Sequence, residues 1–275
     1  MKTYPRVLTI AGSDSGGGAG IQADIKSISA TGSYAASAIT AVTVQNTLGV
    51  EAVHPVPAGI IAAQIRCVLS DIGADAIKIG MLHSAEVVLT VRKELRDAVR
   101  KGWLERPVNI VLDPVMVSTS GHRLIENDAI RVLSRELLPM ARVITPNIPE
   151  AEILAGVRIH SQEDLPAVAR KLSNNGTVSV LLKAGHLTED TLTDVFYNAE
   201  TDHILELTQR RLQTPNTHGT GCTLSSAFAS YLAQGLSLDD AARAATGYIH
   251  GAIVSGAGYQ IGHGHGPVDH FYRTR

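Results

Sequence analysis

The sequence predicts an α/β fold, a central mostly parallel sheet with helices on both faces. Two observations lead there. Short runs rich in Val and Ile recur along the chain, and the longer segments between them return an apolar residue every three or four positions. Strand, helix and strand in alternation need crossover connections, and repeated crossovers make a parallel sheet that is covered on both sides. With 275 residues, 44% of them hydrophobic, the chain is large enough to bury a substantial core as one domain spanning residues 1–275.

In chain order, the apolar runs at 7–10, 38–44, 76–79, 108–112, 142–144 and 178–183 read as strands. Helical spacing predicts helices over 21–30, 59–69, 85–100, 125–138, 149–154, 164–172 and 223–233. Ser161 and Asp164 have capping-box spacing, and Ser237 before Asp239 and Asp240 opens a last long helix. Residues 191–198 and 203–207, joined by a polar turn at 199–202, read as an antiparallel pair at a sheet edge. The sequence shows no internal repeat, low-complexity tract or linker.

Composition narrows the function. A formal net charge of −2, a pI near 6.6 and 4% aromatic residues supply neither the basic field nor the stacking platforms of a nucleic-acid binder. The start of the chain, through Pro5 and Arg6, lacks the apolar core of a signal peptide, and no apolar stretch has membrane-spanning length. Cys67 and Cys222 show no metal-type spacing and read as reduced thiols of a cytoplasmic protein.

The stretch Thr217-His218-Gly219-Thr220-Gly221-Cys222-Thr223 places two glycines and a thiol at a helix start. Unpaired N–H groups and the positive end of the helix dipole make such a start an anion trap, and glycines let backbone approach a phosphate. At that position Cys222 is expected to have a lowered pKa and to serve as a base or polar orienter. The plainer reading is a flexible connection followed by a buried cysteine.

In an open parallel sheet, ligands bind beyond the carboxyl ends of the strands. After the first strand, Gly12 leads into a loop with glycines at 16, 17, 18 and 20. That loop lacks the Gly-Lys-Ser/Thr ending of a Walker A loop, and Ile21 stands where a Rossmann fingerprint needs glycine, so it reads as a wall over a small ligand. Asp24, on the following helix, either points into the site or sits in solvent. Gln45 carries an amide that can read a heteroaromatic ring edge, and Met81 either packs on a flat ring or fills the core. Asp113 and Glu150, each after a strand, suit water-mediated coordination of Mg²⁺ carried by nucleotide phosphates, although Glu150 alone reads as a first-turn acid. Lys183 either reaches a phosphate or stands exposed at a strand end. The histidines of the 262–270 tail have Gly-rich flanks that give no rigid metal geometry.

The run from Thr9 to Asp24 resembles the opening of hydroxymethylpyrimidine/phosphomethylpyrimidine kinases. The stretches Gln45-Asn46-Thr47, Lys78-Ile79-Gly80-Met81-Leu82, Asp113-Pro114-Val115-Met116, Thr145-Pro146-Asn147-Ile148-Pro149-Glu150 and His218-Gly219-Thr220-Gly221-Cys222-Thr223, with the tail, resemble that family's motifs in order. The resemblance implies a ribokinase-like three-layer α/β/α sandwich. It also implies ATP- and Mg²⁺-dependent phosphorylation of 4-amino-5-hydroxymethyl-2-methylpyrimidine to its monophosphate and then its diphosphate, in thiamine biosynthesis. Carried onto this sequence, it puts Gly12, Asp24, Val44, Gln45, Met81 and Val115 at the pyrimidine, and Gly219, Thr220, Gly221 and Cys222 at the transferring group. Asp113, Asn147 and Glu150 match the positions near Mg²⁺ and phosphates, with Asp113 and Glu150 taken as the metal's carboxylates and Asn147 as a nucleotide contact. Lys183 and Thr217, from their places at a strand end and before the helix start, are read as further nucleotide contacts. A homodimer is expected from the resemblance and from the frequency of two-fold oligomers. Two rivals stand beside this: a pyridoxal kinase of the same fold, and a non-catalytic pyrimidine- or vitamin-binding protein.

Overall fold

The computed structural model describes residues 4–116, 124–187 and 189–274, so the first three positions of the N-terminal reading lie outside the described residues. The chain opens with β1 (Arg6–Asp14), α1 (Gly20–Ala30), β2 (Tyr34–Gln45), β3 (Val50–Pro55) and α2 (Ala58–Asp71). It continues through β4 (Ala76–Ile79), α3 (Ala85–Arg100), β5 (Ile110–Leu112), α4 (Asn127–Glu136), β6 (Val143–Ile144) and α5 (Ile148–Ala155). Then follow α6 (Leu165–Leu172), β7 (Ser179–Leu182), β8 (Thr191–Asn198), β9 (His203–Arg210), α7 (Thr220–Ala233) and α8 (Leu238–Gly256).

All nine strands join one sheet in the order β3-β2-β1-β4-β5-β6-β7-β8-β9. The run from β2 through β7 is parallel, and β3, β8 and β9 pair antiparallel at the two edges. From β1 the chain moves first to β2 on one side and later to β4 on the other. This reversal opens a crevice beyond the carboxyl end of β1, where ligands of such sheets collect.

Side-chain alternation sorts the two faces. Leu8, Ile77, Ile110, Ile144 and Val180 pack into a core shared with α2 to α6, while their neighbours Val7, Ala76, Val111, Val143 and Leu181 pack under α1, α7 and α8. Lys78 follows the same alternation, so its side chain enters the α1/α7 side and is fully buried there. Its ammonium lies 2.9 and 3.0 Å from the two carboxylate oxygens of Asp24 on α1. Asp24 also accepts from the hydroxyls of Thr9 and Ser226, at 2.6 and 2.7 Å. Asp24 therefore sits neither in solvent nor at the ligand surface; it joins β1, β4, α1 and α7 beneath it.

Several boundaries differ from expectation. β3 was not expected, because an edge strand that exposes Glu51, Ala52, His54 and Pro55 leaves no apolar run to read. β2 starts earlier and β9 runs three residues further than expected, since pairing with neighbours extends strands past their hydrophobic centres. The 125–138 helix is shorter, ending at Glu136 before a 3-10 turn over Leu138–Met140 that has Pro139 in its middle. Ser161 and Asp164 do form a capping box, but on a 3-10 turn that leads into α6. Most consequential, α7 begins at Thr220 rather than 223, which puts Gly221 and Cys222 inside its first turn.

Removing one partner of a fully buried ion pair leaves the other without compensation. Lys78→Met should therefore cost about 3–5 kcal/mol in urea unfolding. An unchanged unfolding midpoint would show that Asp24 is held by its hydroxyl partners alone.

Candidate active site

A cavity of about 780 Å³ lies across the carboxyl ends of β1, β4, β5, β6 and β7 and the start of α7. It is lined by Gly12, Gln45, Met81, Asp113, Val115, Asn147, Glu150, Lys183 and Thr217, and by the whole Gly219–Cys222 turn. Residues from seven separate stretches of sequence thus meet at one place. Asp24 and Val44 do not line it. Asp24 is enclosed behind Lys78, which itself lines the cavity, and strand alternation turns the exposed Val44 to the face opposite Thr43 and Gln45.

The anion trap is built by a close approach of two backbones. Gly219 has φ +79°, and a side chain there would collide with the carbonyl of Gly18 in the β1–α1 loop. Only a glycine with free access to positive φ fits both demands. Gly219 caps α7 without any side-chain acceptor, while Thr223 N–H closes the first helical bond on its carbonyl at 2.9 Å. Helix geometry therefore leaves the first-turn N–H groups of Gly221 and Cys222 without intrahelical acceptors, facing the cavity at the positive end of the dipole.

Asp14 shapes the opposing loop. Its carboxylate accepts from the N–H groups of Gly16, Gly18 and Ala19, at 2.8, 3.1 and 2.8 Å, and meets Nε2 of His218 at 2.9 Å. Burial works against its charge, but these hydrogen bonds, led by that of His218, hold the carboxyl below its usual range. His218 also lies 3.4 Å from Nε2 of Gln45, whose Oε1 accepts from the Thr43 hydroxyl at 3.1 Å. The Thr43 hydroxyl thereby orients Gln45 at the cavity end that Gly12 and Met81 line. The tail closes this wall: His218 N–H donates to the Gly266 carbonyl at 3.0 Å, and His265 N–H donates to that of Thr47 at 2.9 Å. His263 and His265 stay exposed, and among the described residues no group of three or more His, Cys, Asp or Glu gathers as a metal cluster.

The middle of the cavity carries paired charge. Lys183 stands 3.1 Å from Asp113, which also accepts from the Thr145 hydroxyl at 3.0 Å. A side-chain carbon at Gly221 would stand 3.2 Å from Lys183 Nζ, so the cation lies directly against the helix start. Lys183 is thus not an exposed strand-end lysine. Burial opposes its charge, yet Asp113 and Glu150 hold the ammonium above the usual lysine range. Asn147 and Glu150 form a reciprocal capping box at the start of α5. Burial pushes the Glu150 carboxyl up to about 7, with Lys183 opposing and Asp113 adding to the rise.

Cys222 departs from its expected acidity. Burial pushes the thiol up to about 11; the Lys78 ammonium and the Gly20 N–H oppose this, while Asp24 and Asp113 reinforce it. The helix dipole favours a thiolate, but desolvation and two carboxylates outweigh it here. Sequence reasoning also passed over Lys78, Asp14 and His218 as individual contributors. Asp14 had a visible signal, an aspartate directly ahead of glycines whose N–H groups it can gather, whereas the Lys78–Asp24 pair joins residues 54 apart in sequence.

A ribokinase-like three-layer sandwich whose helix start meets a lysine and buried carboxylates defines a small-molecule phosphotransferase. The chain belongs to the phosphomethylpyrimidine kinase family, whose profile matches residues 14–269. It is 46% identical to the hydroxymethylpyrimidine/phosphomethylpyrimidine kinase of Rhizobium meliloti, covering 97% of each chain, and 43% identical to that of Haemophilus influenzae over the full length of both. It also matches 53% of the thiamine biosynthesis bifunctional protein ThiED of Geobacter sulfurreducens, at 45% identity over 97% of this chain. Among solved structures, the Staphylococcus aureus pyridoxal kinase in complex with AMP-PCP and pyridoxal has a TM-score of 0.87 at 32% identity, covering 100% of this chain and 96% of that one. The phosphomethylpyrimidine kinase of Clostridium difficile has a TM-score of 0.77 at 42% identity, over 90% of this chain and 99% of that one.

The raised pKa of the Cys222 thiol has a direct readout. At pH 7.5 iodoacetamide should label exposed Cys67 well before Cys222, and Cys222 labelling should climb about tenfold per pH unit toward pH 11. Equal labelling of both cysteines at neutral pH would mean that Cys222 is already a thiolate.

Proposed function

We propose that this chain transfers the γ-phosphoryl group of ATP to 4-amino-5-hydroxymethyl-2-methylpyrimidine and then to the resulting monophosphate, in thiamine biosynthesis. The observation that carries this reading is the side-by-side placement of a ring-sized end, Gly12, Gln45, Met81 and Val115, and the bare helix start at 219–222 within one cavity. An acceptor held at the first presents its hydroxymethyl group to the second.

Phosphoryl transfer passes through a loose transition state, so the protein's task is mainly to position the reactants and balance charge. In this reading the Gly219–Cys222 turn, through the free N–H groups of Gly221 and Cys222, holds the transferring group, and Lys183 adds positive charge with Asn147 and Thr217 beside it. Gln45 reads the pyrimidine edge, held in orientation by the Thr43 hydroxyl. Asp24 supports the site through Lys78 rather than by contact, and Val44 contributes strand backbone only.

The described residues offer no preformed cage for a metal, but Mg²⁺ commonly keeps its waters and binds through one or two carboxylates and substrate phosphates. The donor set fits that mode: buried Glu150, with a carboxyl balanced near neutrality, and Asp113 would hold the ion. When bound it neutralises phosphate charge. The active species in this reading is a cytoplasmic homodimer, the cytoplasm following from its ATP substrate and the dimer from the prevalence of two-fold assemblies.

A second reading, a pyridoxal kinase, is favoured by the structural likeness to that enzyme from Staphylococcus aureus. Incubation with Mg·ATP and either acceptor, with products identified by mass, separates the two. Pyrimidine monophosphate followed by diphosphate supports the proposal. Pyridoxal phosphate alone supports the second reading, and no product from either supports a binding protein.

The two transfers differ in their need for a base, because the first acceptor is a hydroxyl and the second a largely ionised phosphate. Cys222→Ala should therefore slow the first transfer more than the second; equal losses would limit the thiol to shaping the pocket. With the thiol neutral at rest, the first transfer should quicken from about pH 7 to 9 while the second stays nearly flat. Gln45→Ala should raise KM for the pyrimidine with little change in kcat, and an unchanged KM would argue against edge reading.

A further inference from the structure

One titratable group on the cavity wall has no part in the acceptor or phosphate contacts described so far. Asp194, on β8, lines the cavity. Burial pushes its carboxyl up to about 6, against the Ala184 N–H and the Lys183 ammonium, so it is ionised at neutral pH. A carboxylate facing a phosphate path repels the group that the path must hold. Its hydrogen bond shows what offsets that repulsion: Oδ1 accepts from the Ala184 N–H at 2.7 Å. With an ionised acceptor such a bond is about twice as strong as a neutral one.

That N–H lies where the pairing of β7 with β8 gives out. The ladder runs from Val180 opposite Tyr197 to Leu182 opposite Val195. One step further Lys183 comes opposite Asp194, and alternation turns both side chains to the face of Leu181 and Phe196, under α7. There the Asp194 side chain replaces a strand carbonyl as the acceptor for β7. β8 stays paired with β9, Asp194 opposite Leu207, so the acceptor stands on a fixed strand rather than on a loop. On the other side, Lys183 N–H donates to the Pro146 carbonyl at 3.0 Å. Beyond Ala184 the chain turns: Leu187 N–H closes on the Ala184 carbonyl at 2.9 Å, and a side chain on Gly185 would meet open space. Ala184 is therefore the joint between ladder and turn, and Asp194 holds it.

Lys183 stands directly before this joint. Its ammonium reaches the other way, to Asp113 at 3.1 Å and against the start of α7 at Gly221. Where the ammonium stands depends on where its backbone is held, and a misplacement of about 1 Å can slow a transfer about a hundredfold. We propose that Asp194 is a positioning residue for phosphoryl transfer: by holding the Ala184 N–H it fixes the end of β7 and aims the Lys183 ammonium at the group bound on the 219–222 turn. The inference rests on the kinase reading above and adds a residue that reading leaves out.

The test compares Asp194→Asn, whose amide oxygen still accepts the Ala184 N–H, with Asp194→Leu, a similar shape that accepts nothing. Neither carries the charge, so their difference reads the hydrogen bond alone. Each is made in wild type and in Lys183→Met, with Asp194→Ala in place of leucine should thermal unfolding show that leucine does not fold. With Mg·ATP and the hydroxymethylpyrimidine, kcat should be about ten- to a hundredfold lower for leucine than for asparagine, with equal KM for the pyrimidine. On the Lys183→Met background the two should agree within about twofold, because the cation they position is gone. Calorimetry with inorganic tripolyphosphate makes the same comparison without turnover: leucine should bind about three- to tenfold more weakly than asparagine, and only when Lys183 is present. Equal kcat and equal binding for asparagine and leucine with Lys183 in place would overturn the proposal, as would a gap of the same size on the Lys183→Met background. Wild-type protein that phosphorylates no pyrimidine while the variants keep this binding pattern would sink the kinase reading and leave the positioning of Lys183 standing.

Discussion

The site depends on two stretches of bare backbone pressed together. Gly18 ends one loop and Gly219 begins one helix, and any side chain at position 219 would meet the Gly18 carbonyl. Because that contact is allowed, the starts of α1 and α7 face each other over the end of β1, and the Gly20 N–H comes to bear on the Cys222 sulfur. Asp14 then makes the arrangement rigid by taking three loop N–H groups and His218 on one carboxylate. A site organised in this way holds its donors in place before any ligand arrives, as electrostatic stabilisation of a developing charge requires.

Charge below and beside that contact is kept in balance. Lys78 is matched by Asp24, and Lys183 by Asp113 with Glu150 close by. Burial, reinforced by Asp24 and Asp113, outweighs the Lys78 ammonium and pushes the Cys222 thiol up even at the positive end of a helix. The pairing also separates the two lysines in role. The ammonium of Lys78 is spent on holding four elements together, and that of Lys183 lies against the helix start where phosphate oxygens would come.

Much of the fold was legible because parallel strands hidden on both faces must be continuous apolar runs, and β1, β4 and β7 are buried throughout or nearly so. The edges were not: β3 carries no hydrophobic signature and is defined only by its partner, β2. Strand-end reasoning found Gln45, Met81, Asp113, Glu150 and Lys183, since in this topology position after a strand is itself the signal. It could not see which of these groups were partnered. The acidity expected of Cys222 was judged from its helix alone, and burial with Asp24 and Asp113, from two other elements, reversed it.

The tail gives the fold an order in time. His218, which pairs with Asp14, hangs from the carbonyl of Gly266, and the turn after β2 is tied to His265. Synthesis runs from the amino end, so the loop around Asp14 and the strand carrying Gln45 emerge early, yet their wall is finished only by residues some two hundred positions later. The sheet can assemble progressively, whereas the pocket closes last. A nascent chain thus carries the scaffold of the site well before it can carry the site.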